Sequence, residues 1–331
     1  MTAEIAVMNK SGIAMAADSK VSIGGPSPSK GYDTVNKLFS LSKSHPVGIM
    51  VYGNAELMGI PWETLIKDYR KSIGSKSFAT IDDWRDNFVE YLSEGFFFDE
   101  ESIIDNTRNI IQSQLHFVMT ELDVLHNYLD DTIENQKILL LEYLDEKISE
   151  LKSQKLSKTG KLSPLSKKIV EAESDDIDIE DEDIAQKIRT VLELTLLAKT
   201  QSNLESGIVI AGFGDKQVFP CLADFSTDGI VNGALRIAVA ESVPINHNRT
   251  SCIKSFAQHD MVQRFMLGAD SNFLQTISMA LHDILLESNK STLKKYGLKS
   301  LKNENSEKEI QDVVEKISQG FCRKYYRFCK Y

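Results

Sequence analysis

Thr2 can carry covalent chemistry: excision of Met1, expected when a small residue follows, leaves a hydroxyl and a free α-amine on one residue. A hydroxyl is a weak nucleophile until a neighbouring base takes its proton. An α-amine titrates near about 7.7–8.0, and a nearby cation lowers its proton affinity further. Such an amine could serve as that base near neutral pH. Met-Thr alone is a common beginning, so the argument turns on what surrounds it.

Other patterns point to no chemistry of their own. Gly24-Gly25 to Gly31 is glycine-rich, but no Gly-Lys-Ser/Thr opens a helix after it, as a phosphate cradle requires. Gly212-Phe213-Gly214 reads as a hairpin turn. His116 and His126 lack the four-residue spacing of a metal pair on a helix. Cys221, Cys252, Cys322 and Cys329 form no CxxC pair and read as reduced structural thiols. No metal and no cofactor are expected.

The elements that must position Thr2 come in blocks. Ile5 and Val7 alternate with polar neighbours, Gly12 turns the chain, and Ile13 to Ala17 is a short apolar run ending at Asp18-Ser19. Lys37–Leu41 and Val47–Tyr52 read as two more strands, and a helical pattern begins at Asn54. Thr80 with Asp83 resembles a helix cap, and Gly95 closes that helix. No glycine or proline lies between Gly95 and Gly160, and Leu115 to Leu151 carries a coiled-coil or helical-hairpin seam. One helix of about 50 residues would span about 75 Å, so the segment either folds back near Asp130-Asp131 or projects. Glu171 to Asp183 is an acidic run, expected to be solvated, and a helix follows from Ile184 to Ala198. Strands return at Ile208–Leu222 and Ala234–Ala240, with a turn expected at Asp228-Gly229, and two helical stretches follow Phe273. The division is 1–79, a helical insertion with an acidic linker at 80–204, and 205–331.

The chain has 331 residues, 42% of them hydrophobic, and a formal net charge of −10. That charge opposes non-specific nucleic-acid binding, which needs a positive surface. No uncharged apolar run of about 18 residues occurs, nor a leader-like N-terminus. No membrane partner is expected, and the location expected is cytoplasmic.

Thr2-Ala3-Glu4-Ile5-Ala6-Val7, the turn at Gly12, Ala16-Ala17-Asp18-Ser19 and Thr34-Val35-Asn36-Lys37 together resemble the opening of proteasome β subunits and their bacterial relatives. The resemblance implies an N-terminal-nucleophile hydrolase, an α+β four-layer αββα sandwich here elaborated by a long helical insertion. It implies Thr2 as nucleophile and base, Lys37 as the cation that tunes it, and Asp18 as the carboxylate that orients Lys37, with Ser19 as a supporting residue. Gly48 to Glu56 is similar to the family's strand and glycine turn, which makes Gly53 the oxyanion-hole donor, or Tyr52 if the turn is shifted by one. Ser255 to Asp270 is similar to a later strand-to-helix passage and puts Asp260 where the family has a supporting serine. The family's Asp-x-x-Ser-Gly-like element is absent from Phe321 to Tyr331, a basic aromatic tail.

The expected function is amide hydrolysis, of peptides or proteins, by a homo-oligomer. One alternative is a weak or inactive homologue that acts in assembly, with an unknown partner held through the helical insertion. Another is a non-proteolytic amidase.

Overall fold

Strand alternation decides which face of each sheet is covered. In the computed structural model, residues 3–19, 21–23, 30–32, 35–94, 97–128, 133–154, 161–175, 181–198 and 204–257 are described, with scattered positions elsewhere. The chain forms two compact units, Ala6–Lys254 and a smaller one of Ala3–Ile5 with Ser255–Tyr331. The fold is α+β with antiparallel sheets. In the smaller unit, described positions from Phe273 to Ile284 are helical.

The strands before the first helix are β1 (Ala3–Asn9), β2 (Gly12–Ala17), β3 (Val21–Ile23), β4 (Lys30–Tyr32), β5 (Leu38–Ser40), β6 (Val47–Gly53), β7 (Glu56–Leu57) and β8 (Ile60–Pro61). Helices α1 (Trp62–Ile73), α2 (Ile81–Ser93), α3 (Glu100–Tyr128), α4 (Ile133–Ser153), α5 (Pro164–Asp175) and α6 (Glu182–Leu197) follow. The later strands are β9 (Ser206–Gly212), β10 (Cys221–Val231), β11 (Ala234–Pro244) and β12 (Ser251–Ala257). One sheet has the order β11-β10-β9-β6-β5, and its strand pairs are antiparallel. A second has the order β12-β1-β2.

Alternate residues of β6 and β9 divide between two faces. Val47, Ile49 and Val51 of β6 join Ile208 and Ile210 of β9 in a cluster with Trp62, Leu65, Ile66 and Tyr69 of α1 and with Ile81, Trp84, Phe88 and Leu92 of α2. Those helix positions recur every three or four residues, so each helix buries one stripe on the sheet. On the other face, Gly48 lies so close under Met15 of β2 that a Cβ there would come within 2.5 Å of its Cε. Met50 and Val209, also on that face, are fully buried.

Helix α2 starts where Thr80 and Asp83 announce it. The Thr80 hydroxyl accepts from the Asp83 backbone N–H at 3.1 Å, and the Asp83 carboxylate accepts from the Thr80 N–H at 2.9 Å. This reciprocal cap satisfies two backbone donors that the first turn leaves open. Helix α1 starts at Trp62, later than the pattern from Asn54 suggests, because Asn54–Pro61 is taken up by the short β7–β8 hairpin.

Helices α3 to α6 share a second cluster, in which Val118 and Leu122 of α3, Leu144 and Leu151 of α4, and Ile188, Val191 and Leu192 of α6 are buried. The seam read from Leu115 to Leu151 is thus covered within the chain by α6. Asp130-Asp131 lies outside the described residues. The acidic run is more structured than its composition suggests. Glu171 to Asp175 ends α5, and Glu173 accepts from Arg108 Nε at 3.1 Å and Gln112 Nε2 at 2.9 Å. Asp181 caps α6, its carboxylate accepting from the Asp183 and Ile184 N–H groups. Those partners sit on other helices or at the next helix start, which composition cannot show.

The expected turn at Asp228-Gly229 is not a turn. Both residues belong to β10, whose pairing with β11 is irregular between Thr227 and Ile230. The chain turns instead at Asn232-Gly233, where φ is 54° and 79°. Two consecutive left-handed residues match the right-handed twist of a hairpin, and Asn-Gly supplies them at low cost.

Candidate active site

Three short segments converge at one end of the five-stranded sheet. Val51 N–H donates to Lys37 O at 2.9 Å, which holds residues 35–37 against the end of β6. Val35 N–H donates to Ser19 O at 3.2 Å, which ties the same segment to the end of β2. These backbone bonds bring Asp18 to Lys37. Lys37 Nζ donates to Asp18 Oδ1 at 2.6 Å, with the lysine side chain 7% exposed and the carboxylate 34%. The pair is thus shielded on the lysine side and open to water on the aspartate side.

Lys37 and Gly53 line one cavity of about 250 Å³, walled by residues 35–37, 51–56 and 61–63. Gly53 has φ 84°, and a Cβ there would meet Glu205 O at 2.5 Å. Conformation and space both require glycine at this turn. The residues around it are pinned. Asn54 N–H donates to Glu205 O at 3.1 Å, Ser206 Oγ donates to Asn54 O at 3.1 Å, and Trp62 Nε1 donates to Ser206 Oγ at 2.9 Å. Tyr52 lies over Gly207, where a Cβ would fall 1.9 Å from the ring.

The structure therefore brings together Asp18, Lys37 and Gly53, with Tyr52 beside them. Ser19 is exposed and contributes its backbone carbonyl. Thr2 and Asp260 lie outside the described residues. Sequence reading passed over the supporting residues Ser206 and Trp62. Their signal is register: Ser206 is the Cα partner of Gly53 across β9 and β6.

Among the described residues, no group of three His, Cys, Asp or Glu side chains could hold a metal ion, and no helix is long and apolar enough to cross a membrane. Cys221 and Cys252 are free, and burial pushes the Cys221 thiol up. Comparison of the chain with models of known protein families gives no match, and a search of curated proteins gives none.

Proposed function

We propose that the protein is a threonine-type N-terminal-nucleophile hydrolase that cleaves amide bonds, with peptides as the preferred class. The fold proposed with it is the four-layer αββα sandwich, to which helices α1 and α2 would contribute one outer layer. The observation that carries the reading is the Lys37–Asp18 ion pair beside the cavity that Gly53 lines.

In the proposed reaction the Thr2 α-amine takes the hydroxyl proton as the oxygen attacks the substrate carbonyl. The positive charge of Lys37 favours the neutral amine and the developing alkoxide. Asp18 holds that charge in position. The Gly53 N–H donates to the oxyanion of the tetrahedral intermediate. Collapse expels the amine product, which takes the proton held by the α-amine, and leaves an ester on Thr2. Water, deprotonated by the same amine, attacks the ester carbonyl, and the acid leaves as the amine returns the proton to Thr2 Oγ.

Intact mass of the purified protein, read before and after an electrophilic peptide probe, tests the proposal. A chain lacking Met1 that gains one probe on wild type and none on Thr2→Ala is expected. A wild-type chain lacking Met1 that takes up no probe, or labelling that persists on Thr2→Ala, overturns it.

A second reading, an assembly role for the helical segment, has its own support. Helices α3 to α6 hold a separate hydrophobic cluster, yet Phe117 and Ile138 remain 48% and 50% exposed. Light scattering of a Phe117→Glu/Ile138→Glu variant tests it, and an oligomeric mass unchanged from wild type removes self-assembly through this face.

A further inference from the structure

Gly53 and Ser206 face each other across β6 and β9, and Asn54 N–H donates to Glu205 O one step beyond them. Opposed residues of an antiparallel pair alternate between a bonded place and one that exchanges no backbone bond. Asn54 and Glu205 occupy a bonded place, so Gly53 and Ser206 occupy the other kind. The Gly53 N–H therefore points away from β9. It leaves β6 on the edge that Val51 N–H uses, two residues earlier, to reach Lys37 O. That edge faces residues 35–37, which wall the cavity.

The bonded place beyond Gly53 is half filled. A regular ladder would bring Glu205 N–H to Asn54 O, but Glu205 N–H donates to Ser202 O at 3.0 Å. The Ser206 hydroxyl takes its place, donating to Asn54 O at 3.1 Å. Its direction is settled by a third group. Trp62 Nε1 can only donate, and a hydroxyl has one proton. Trp62 Nε1 donates to Ser206 Oγ at 2.9 Å, which leaves the serine proton for Asn54 O. Ser206 is fully buried and Trp62 2% exposed, so these bonds are shielded from water.

We infer that Ser206 is a positioning residue for the reaction, its hydroxyl holding the turn after Gly53 so that the Gly53 N–H stays aimed into the cavity. The inference rests on the hydrolase reading, in which that N–H meets the oxyanion. Two peptide groups follow Gly53. Glu205 O fixes the first through Asn54 N–H, and the Ser206 hydroxyl fixes the second through Asn54 O. Gly53 itself restrains little, because a glycine populates both signs of φ. Its φ of 84° is kept by these outside contacts. Ser206 touches no substrate and acts through Gly53 alone.

The test joins the kinetics of Ser206→Ala and Ser206→Thr to NMR of the full chain, read as nitrogen relaxation of the Gly53 amide. Active sites are counted with the electrophilic peptide probe, so that unfolded protein is not taken for slow enzyme. Ser206→Ala should lower kcat per active site about tenfold, short of the hundredfold or more that outright loss of such a donor causes. KM should change little, since the donor acts on the transition state. The Gly53 amide should become more mobile in the same variant. Ser206→Thr keeps the hydroxyl and should restore both kcat and the rigid amide. If Ser206→Ala does not fold, Ser206→Cys, whose thiol is a weaker donor, takes its place under the same two measurements.

A merely structural serine would lower the number of active sites and leave kcat per site unchanged. That result, or a Gly53 amide as rigid in Ser206→Ala as in wild type, overturns the inference and leaves the hydrolase reading intact. No hydrolysis by wild type, with the Gly53 amide loosened in Ser206→Ala and rigid again in Ser206→Thr, removes the hydrolase and leaves Ser206 as the residue that sets this turn.

Discussion

Lys37 Nζ sits 2.6 Å from Asp18 Oδ1, yet the two ends of this ion pair see different surroundings: the lysine is 7% exposed and the aspartate 34%. The asymmetry sets the outcome of substitution. Lys37→Met leaves a carboxylate that water still reaches, so the stability cost should stay under about 1 kcal/mol. Asp18→Asn removes the carboxylate bonded to a buried ammonium and should cost more, about 2 kcal/mol. Urea unfolding of both variants checks the order, and the reverse order would mean the lysine is more solvated than the geometry shows. On the proposed mechanism both substitutions should abolish amide hydrolysis, because one removes the charge and the other its orientation.

Gly53 offers a test at the backbone. Gly53→Ala forces a Cβ at φ 84°, 2.5 Å from Glu205 O. The turn must shift, and the N–H proposed as the oxyanion donor shifts with it. Loss of one such donor costs on the order of a hundredfold in kcat. Turnover of an amide reporter should fall by that amount with KM changed little, since the donor acts on the transition state. A variant with wild-type turnover would take Gly53 out of the oxyanion hole.

The Thr80–Asp83 cap could be read from the order of residues, because it closes within one turn. Asp18, Lys37 and Gly53 are named only through the resemblance to a family, and the structure pairs the first two and sets Lys37 and Gly53 on one cavity. What could not be read depends on partners far along the chain. Trp62 reaches Ser206 across 144 positions, and Arg236 reaches Thr195 O across 41. The misplaced turn has the same origin. Asp228-Gly229 has turn chemistry, but Asp228 is held inside β10 by Arg236, and the hairpin closes at Asn232-Gly233 instead. Asn232-Gly233 carries hairpin chemistry in its own two residues, and it is the pair at which the chain turns.

That junction makes a third prediction. Arg236 donates through Nε to Asp228 Oδ1 at 2.8 Å and through Nη1 to Thr195 O at 2.6 Å, the last at the end of α6. Asp228 O in turn accepts from Asn106 of α3 at 3.0 Å. The helical segment and the sheet are therefore joined by one buried network, with Arg236 8% and Asp228 4% exposed. Arg236→Met should cost about 3–5 kcal/mol, because it leaves Asp228 buried without its cation. Arg236→Met/Asp228→Leu should recover much of that loss. A double variant as unstable as the single one would show that the Thr195 contact, rather than the ion pair, carries the stability.

The final prediction concerns pH. Asp224 lies on β10 with Lys254 Nζ 3.0 Å from its Oδ1, and Lys254 also reaches Glu241 at 2.5 Å. Burial raises the Asp224 carboxyl above its ordinary 3.8, against the opposing pull of Lys254, while Glu241, more exposed and bonded to the same lysine, is held below its ordinary 4.5. The two carboxyls therefore act in opposite directions. Between 3.8 and the raised folded value, folded protein binds more protons at Asp224 than unfolded protein does, so that contribution to stability falls as pH rises. Glu241 contributes in the other sense, with stability present above 4.5 and lost as pH falls through its folded value. Asp224→Asn removes only the first titration. The stability of wild type minus that of Asp224→Asn should thus be greatest below 3.8 and should decline as pH rises above it. Denaturant midpoints at a series of pH values measure it. A difference that grows with pH would mean that Lys254, not burial, governs Asp224.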